Sequence, residues 1–81
     1  MRLDKFLKVS RLIKRRTVAN TVSEMGKVIV NGNPAKPAKQ LKVGDIIEIE
    51  YASKTEKYEV LVLPEGNVSV QMAQTLYKEI S

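Results

Sequence analysis

The chain has 81 residues, a net charge of +5, and neither Cys nor His. Without Cys there is no disulfide and no thiolate nucleophile; without either residue the two commonest zinc-ligand types and the commonest general base are missing. A chain of this length makes one small domain, here residues 1–81, with a modest core that buries only roughly 60% of the surface its unfolded form exposes.

Leu3, Phe6, Leu7 and Ser10 fall at helical spacing with Asp4 in the first turn, which predicts a short helix from about Leu3 to Val9. Ser10 then offers a cap or turn, and Leu12 and Ile13 lead into the cations Lys14, Arg15 and Arg16. From about Lys14 to Met25 the helical period returns, with Val18, Ala19, Val22 and Met25 as an apolar stripe and Gly26 where a glycine would stop the helix. Val28, Ile29 and Val30 are β-branched and run into Asn31-Gly32, a strong tight-turn pair. Pro34 and Pro37 make the returning segment short or irregular. Residues 41–45 read as a loop closing on Gly44-Asp45.

Ile47, Ile49 and Tyr51 alternate with glutamates, as in a half-buried strand. Lys54 to Lys57 read as a polar hairpin connection, and Tyr58, Val60 and Val62, alternating with Glu59, Leu61 and Leu63, read as a second strand that Pro64-Glu65-Gly66 ends. Val68, Met72, Leu76 and Ile80 recur every four residues and predict a C-terminal helix from about Ser69 to Glu79. No apolar run reaches the roughly 20 residues that span a bilayer. The opening is charged and patterned, so no secretory leader is expected.

Charge is partitioned along the chain. Residues 1–42 hold eleven Lys and Arg against two acids, net +9; residues 43–81 hold three Lys against seven acids, net −4. A basic half in a small domain is a footprint for a polyanion, nucleic acid first and an anionic membrane surface second. The informative cluster is Arg2, Lys5, Lys8, Arg11, Lys14, Arg15 and Arg16, seven cations in sixteen residues. Such a run is ordinarily a solvated helical surface. Two features weigh against that explanation. Acids scarcely interrupt the run, so ion pairs within a helix do not account for it. Lys14, Arg15 and Arg16 also sit at the start of a predicted helix, where the helix dipole disfavours cations by roughly 0.3–1 kcal/mol each. Free N–H groups at that end attract phosphate, and arginines beside them clamp it. Asn20, Ser23 and Lys27 continue this surface along the polar face of the second helix, and Lys36, Lys39 and Lys42 extend it into the loop after the first strand.

Phe6 is the only aromatic in the basic segment, and its spacing assigns it to the core. Single-stranded nucleic acid therefore finds no stacking platform there, and recognition falls to the backbone of folded RNA. Tyr51, Tyr58 and Tyr77 read as packing residues with wet hydroxyls. No glycine-rich phosphate loop, metal cluster or nucleophile–base pair is present, so neither a catalytic residue nor a cofactor is expected.

Arg2-Leu3-Asp4, then Arg16-Thr17-x-Ala19, then Gly26-x-Val28-x-Val30-Asn31-Gly32, then Val43-Gly44-Asp45-x-Ile47 resemble the S4-type RNA-binding domain over about residues 1–50. The resemblance implies an α+β, S4-type fold: two N-terminal helices packed on a small, bent antiparallel β-structure, with RNA on the helices. The hairpin and the short C-terminal helix would occupy about residues 46–81. The stand-alone arrangement and the opening from Arg2 to Thr17 further resemble the RqcP family of bacterial ribosome-associated quality-control factors. That resemblance implies binding to stalled large ribosomal subunits, contact with rRNA and P-site peptidyl-tRNA, and support of the partner RqcH in adding C-terminal alanine tails to the blocked nascent chain. It implies RNA contact by Arg2, Arg15 and Arg16, with Lys5, Lys8, Arg11 and Lys14 in support. A cytoplasmic, ribosome-associated monomer, with no membrane partner, is the matching expectation.

Two alternatives stay open. Heat-shock-type S4 ribosome-recycling factors share the domain, but they carry a long basic C-terminal extension where this chain has a short, mildly acidic segment. A protein-interaction adaptor would instead use the acidic hairpin and a stripe of Val68, Met72, Leu76 and Ile80. Binding to anionic lipid ranks last, because it needs an apolar insertion face and the stripes here are narrow.

Overall fold

Leu3, Phe6 and Leu7 are fully buried and lie on one helical face, which is why Leu3–Val9 forms a helix (α1) that packs on a core. The computed structural model describes residues 1–80. After α1 come α2 (Arg16–Glu24), β1 (Val28–Val30), β2 (Asn33–Pro34), β3 (Ile46–Glu50), β4 (Thr55–Val60), α3 (Val70–Ala73) and β5 (Tyr77–Glu79). The start of α1 is held by the loop at residues 37–41. The Leu3 N–H donates to the Lys39 carbonyl at 2.8 Å and the Asp4 N–H to the Pro37 carbonyl at 3.1 Å. These bonds satisfy two amides that a helix end leaves without a partner. At the other end the buried Ser10 hydroxyl donates to the Leu7 carbonyl, and Arg11 takes the left-handed backbone at φ 62°.

The second helix begins at Arg16 with Arg15 as its cap, slightly later than the sequence suggested. Its buried seam also differs. Of the expected stripe only Ala19 is fully buried; Val22 is half-buried, and Val18 and Met25 are 45% and 61% exposed. Ser23, expected on the RNA-facing side, is instead 1% exposed. Its hydroxyl donates to the Ala19 carbonyl at 2.8 Å, so the helix satisfies its polarity internally. Two small side chains at i and i+4 thus form the buried line in place of larger ones. Gly26 ends α2 at φ 77°. Its N–H reaches the Ser23 carbonyl and the Lys27 N–H reaches the Val22 carbonyl, the paired bonds of a Schellman stop.

The five strands form one antiparallel sheet in the order β2-β1-β3-β4-β5. Registers pair Val28 with Ile49, Val30 with Ile47 and Ile47 with Tyr58. These side chains and Val60 form the sheet's contribution to the core beneath Leu3, Phe6, Leu7 and Ala19. The β1–β2 turn places Asn31 at φ 51° and Gly32 at φ 86°, both positive as a two-residue I′ hairpin requires. The Asn31 side chain also donates to Asp45 at 3.0 Å and accepts the Ile46 N–H at 2.9 Å, pinning the turn to the start of β3. Pro34 falls on the edge strand, where its missing N–H does no harm. The hairpin connection is earlier than expected: Thr55 to Lys57 already belong to β4, and β4 ends at Val60, leaving Val62 46% exposed.

The C-terminal segment corrects the sequence reading most. A short helix is present, but α3 is one turn, capped by the Ser69 hydroxyl on the Met72 N–H. The Thr75 hydroxyl then bonds the Met72 carbonyl, and the chain turns into β5, which pairs with β4. Of Val68, Met72, Leu76 and Ile80, only Leu76 is buried; Met72 and Ile80 are exposed. Two physical reasons explain the difference. A strict four-residue recurrence drifts about 40° per step around a helix, so it makes no lasting stripe. The edge of β4 also carries a row of amides and carbonyls that β5 pairs in register, and Tyr77 meets Tyr58 edge-on at 5.3 Å. The continuous stripe on which an adaptor surface would have rested is absent.

Candidate RNA-binding surface

Arg2, Lys5 and Lys8 follow one another every three residues, away from the buried face of α1, and all three are exposed. Between them Asp4 is 2% exposed. A buried carboxylate needs partners, and Asp4 has a full set. Arg2 donates from Nε to Oδ1 and from Nη2 to Oδ2, both at 3.2 Å. Arg16 donates from Nη2 to Oδ1 at 3.4 Å, and Asn20 from Nδ2 to Oδ2 at 3.5 Å. The Lys5 N–H completes the set at 2.8 Å. Burial pushes the Asp4 carboxyl up, but the hydrogen bonds from Asn20 and Arg16, the Arg16 charge and the Lys5 amide outweigh it and hold the carboxyl below its ordinary range. Asp4 is therefore ionised at neutral pH and fixes the two guanidiniums in place. Their side chains stay 45% and 48% exposed, so each keeps donors for a ligand.

Arg16 stands between two concavities. On one side, Lys5, Lys8, Val9, Arg11 and Arg16 face Gly66, Asn67 and Val68 across a groove of about 630 Å³. On the other, Asp4, Arg16, Thr17, Asn20 and Thr21 line a hollow of about 420 Å³. Arg11 reaches the groove from a left-handed backbone, which costs a non-glycine residue roughly 1–2 kcal/mol. Strain of that kind is a recurrent mark of functional positions. Lys14 and Arg15 are exposed on the approach to α2, whose N-terminus has neither a side-chain cap nor an acid in its first turn. Among the described residues, Lys5, Lys8, Arg11, Lys14 and Arg15 have no acidic partner within 4.0 Å.

The expected site residues therefore gather unequally. Arg2, Arg16 and Asn20 meet on Asp4, while Lys5, Lys8 and Arg11 join Arg16 along the groove. Lys27 is set apart: it follows the C-terminal end of α2, the end opposite Arg16, and its carbonyl accepts the Glu50 N–H. Lys36 is 3.8 Å from Glu24. Two features escaped the sequence reading, Asp4 as the hub and the loop at residues 66–68 as a wall. The first had a signal, since Asp4 is the only acid before Glu24. Among the described residues, no group of three or more His, Cys, Asp or Glu is placed to hold a metal ion.

A basic helix pair, braced by one buried carboxylate on an antiparallel sheet, defines an S4-type module. The S4 domain family model matches residues 1–47, and the chain belongs to that family. It is 50% identical over 78 residues to the RQC P-site tRNA stabilizing factor of Halalkalibacterium halodurans, covering 96% of this chain and 88% of that protein. It is 43% identical over 81 residues to the factor of the same name in Bacillus subtilis, covering 98% and 94%. Within the S4 family, the chain belongs with these RqcP relatives. Among solved structures it is similar to the trimeric heat shock protein 15 of Vibrio cholerae, with a TM-score of 0.89, 32% identity, and coverage of 100% of this chain and 82% of that one.

Proposed function

We propose that the chain acts in ribosome-associated quality control by binding P-site tRNA and large-subunit rRNA on stalled large subunits. In this reading it is an accessory RNA-binding factor with no chemical step of its own. It supports C-terminal alanine tailing of the nascent chain alongside RqcH, in the cytoplasm, as a monomeric single domain. The names of its relatives support the tRNA and quality-control parts of this reading. The observation that carries the RNA-binding part is the convergence of Arg2 and Arg16 on buried Asp4, beside cations that lack acidic partners. Evenly spread surface charge needs no such bracing; a fixed pair of half-exposed guanidiniums suits bidentate capture of phosphate.

The likeness to heat shock protein 15 keeps a recycling-type role as the second reading. Crosslinking the tagged chain in cells and sequencing the attached RNA tests the proposal. Large-subunit rRNA together with tRNA is the expected outcome. Recovery of messenger RNA alone removes it.

A further inference from the structure

The groove beside Arg16 has two chemically different walls. Lys5, Lys8, Arg11 and Arg16 make one wall a row of cations. Gly66, Asn67 and Val68 make the other wall uncharged, and they come from the segment between β4 and α3, far from the basic part of the chain. Val9 and Val68 are half-buried and add an apolar surface. Asn67 is exposed, and its amide offers both a donor and an acceptor. No aromatic side chain lines the groove, so it has no means of stacking a base. Its volume lies in the roughly 300–1,000 Å³ range of small-molecule sites, enough for a sugar-phosphate unit.

Resting on the RNA-binding reading above, we propose that this groove reads the RNA backbone: the cationic wall holds phosphates while Asn67 bonds a ribose 2′-hydroxyl. In an RNA strand each ribose carries an uncharged 2′-hydroxyl next to the charged phosphodiester at C3′, and the phosphate on C5′ lies toward the opposite face of the ring. A slot with one cationic wall and one neutral amide wall offers a partner to each kind of group. The ribose carbons then rest against Val9 and Val68. The 2′-hydroxyl both donates and accepts, as the amide does, and it is the group that separates RNA from DNA. The C-terminal segment thereby becomes part of the recognition surface and supplies selectivity, while the N-terminal helices supply affinity.

The test uses the full chain and two probes, an RNA stem-loop and the same stem-loop with every 2′-hydroxyl O-methylated, which keeps the A-form and removes the donor. Wild type should prefer the unmodified probe by about fivefold, the scale of one neutral hydrogen bond. Asn67→Ala should erase that preference while the salt dependence of binding to the unmodified probe stays unchanged. Lys8→Ala should do the reverse, lowering the salt dependence and keeping the preference. A preference that survives Asn67→Ala overturns the proposal, and so does a wild type that treats both probes alike. A wild type that binds neither probe overturns the RNA-binding reading itself.

Discussion

Asp4 is the residue whose replacement separates fixed charge from loose charge. Asp4→Asn raises the net charge by one, so a purely nonspecific cationic surface would bind RNA more tightly. With the carboxylate gone, Arg2 and Arg16 lose the acceptor that orients them, and an amide NH₂ replaces one of its oxygens. RNA affinity should fall by roughly an order of magnitude despite the added charge. Stability should drop by roughly 1–3 kcal/mol, less than for a fully buried pair because both guanidiniums are half-exposed. Filter binding and chemical denaturation measure the two effects, and tighter binding by Asp4→Asn would refute the bracing role.

The same residue gives a pH signature. Its folded carboxyl titrates below the ordinary 3.8, so the unfolded chain binds more protons there and stability rises with pH through that window. The contribution is complete above the unfolded value and is lost as pH falls through the folded one. Denaturation of wild type below about pH 4 should show this loss, and Asp4→Asn should show a shallower one. Arg11 makes a complementary case. Arg11→Gly relieves a left-handed backbone at φ 62°, partly offset by glycine's flexibility in the unfolded chain, for a net gain of roughly 0.5–1 kcal/mol. It also removes a groove cation, so a more stable protein that binds RNA more weakly is expected.

At the scale of elements, the C-terminal segment provides the sharpest contrast. Leu76 is fully buried between β4 and the helices' core, whereas Met72 is 51% exposed. Leu76→Ala should destabilise by about 2–4 kcal/mol and Met72→Ala by less than about 0.5 kcal/mol in urea titrations. A continuous amphipathic helix over this segment would make the two similar. Local signals explain what was legible here. The α1 spacing, the Gly26 stop, the Asn31-Gly32 turn and the Ile47–Ile49 alternation in β3 each act within a few residues and appear where they were read. Tyr51, read as the next position of that alternation, lies past the end of β3 and is exposed. β5 was not legible, because its reason to exist is the unpaired edge of β4, some twenty residues earlier. Likewise Ser23 reads as a polar-face residue from its type and spacing; the bond to the Ala19 carbonyl that lets it be buried is visible only in the folded helix. In the candidate site, the cation cluster was readable as composition. Its convergence on Asp4 and the wall at residues 66–68 depend on tertiary approach.

For the whole molecule, the basic and acidic halves of the sequence become separate regions. The basic residues gather on α1, the approach to α2 and its first turns, while Glu48, Glu56, Glu59 and Glu79 sit on the three strands farthest along the chain, partly offset there by Lys54 and Lys57. A polyanion approaching such a molecule is oriented before contact, which favours docking through the helices. Affinity should therefore carry the mark of released counterions, with the logarithm of the binding constant falling linearly with the logarithm of salt, by roughly 0.7–0.9 per phosphate neutralised. The most direct measurement is that salt titration on a folded RNA for wild type, Arg16→Ala and Lys57→Ala. Arg16→Ala should bind more weakly with a slope lower by about 1, while Lys57→Ala, on β4 beside Glu48, should keep the wild-type slope. An Arg16→Ala slope equal to that of wild type would contradict the phosphate-binding role of the braced arginines.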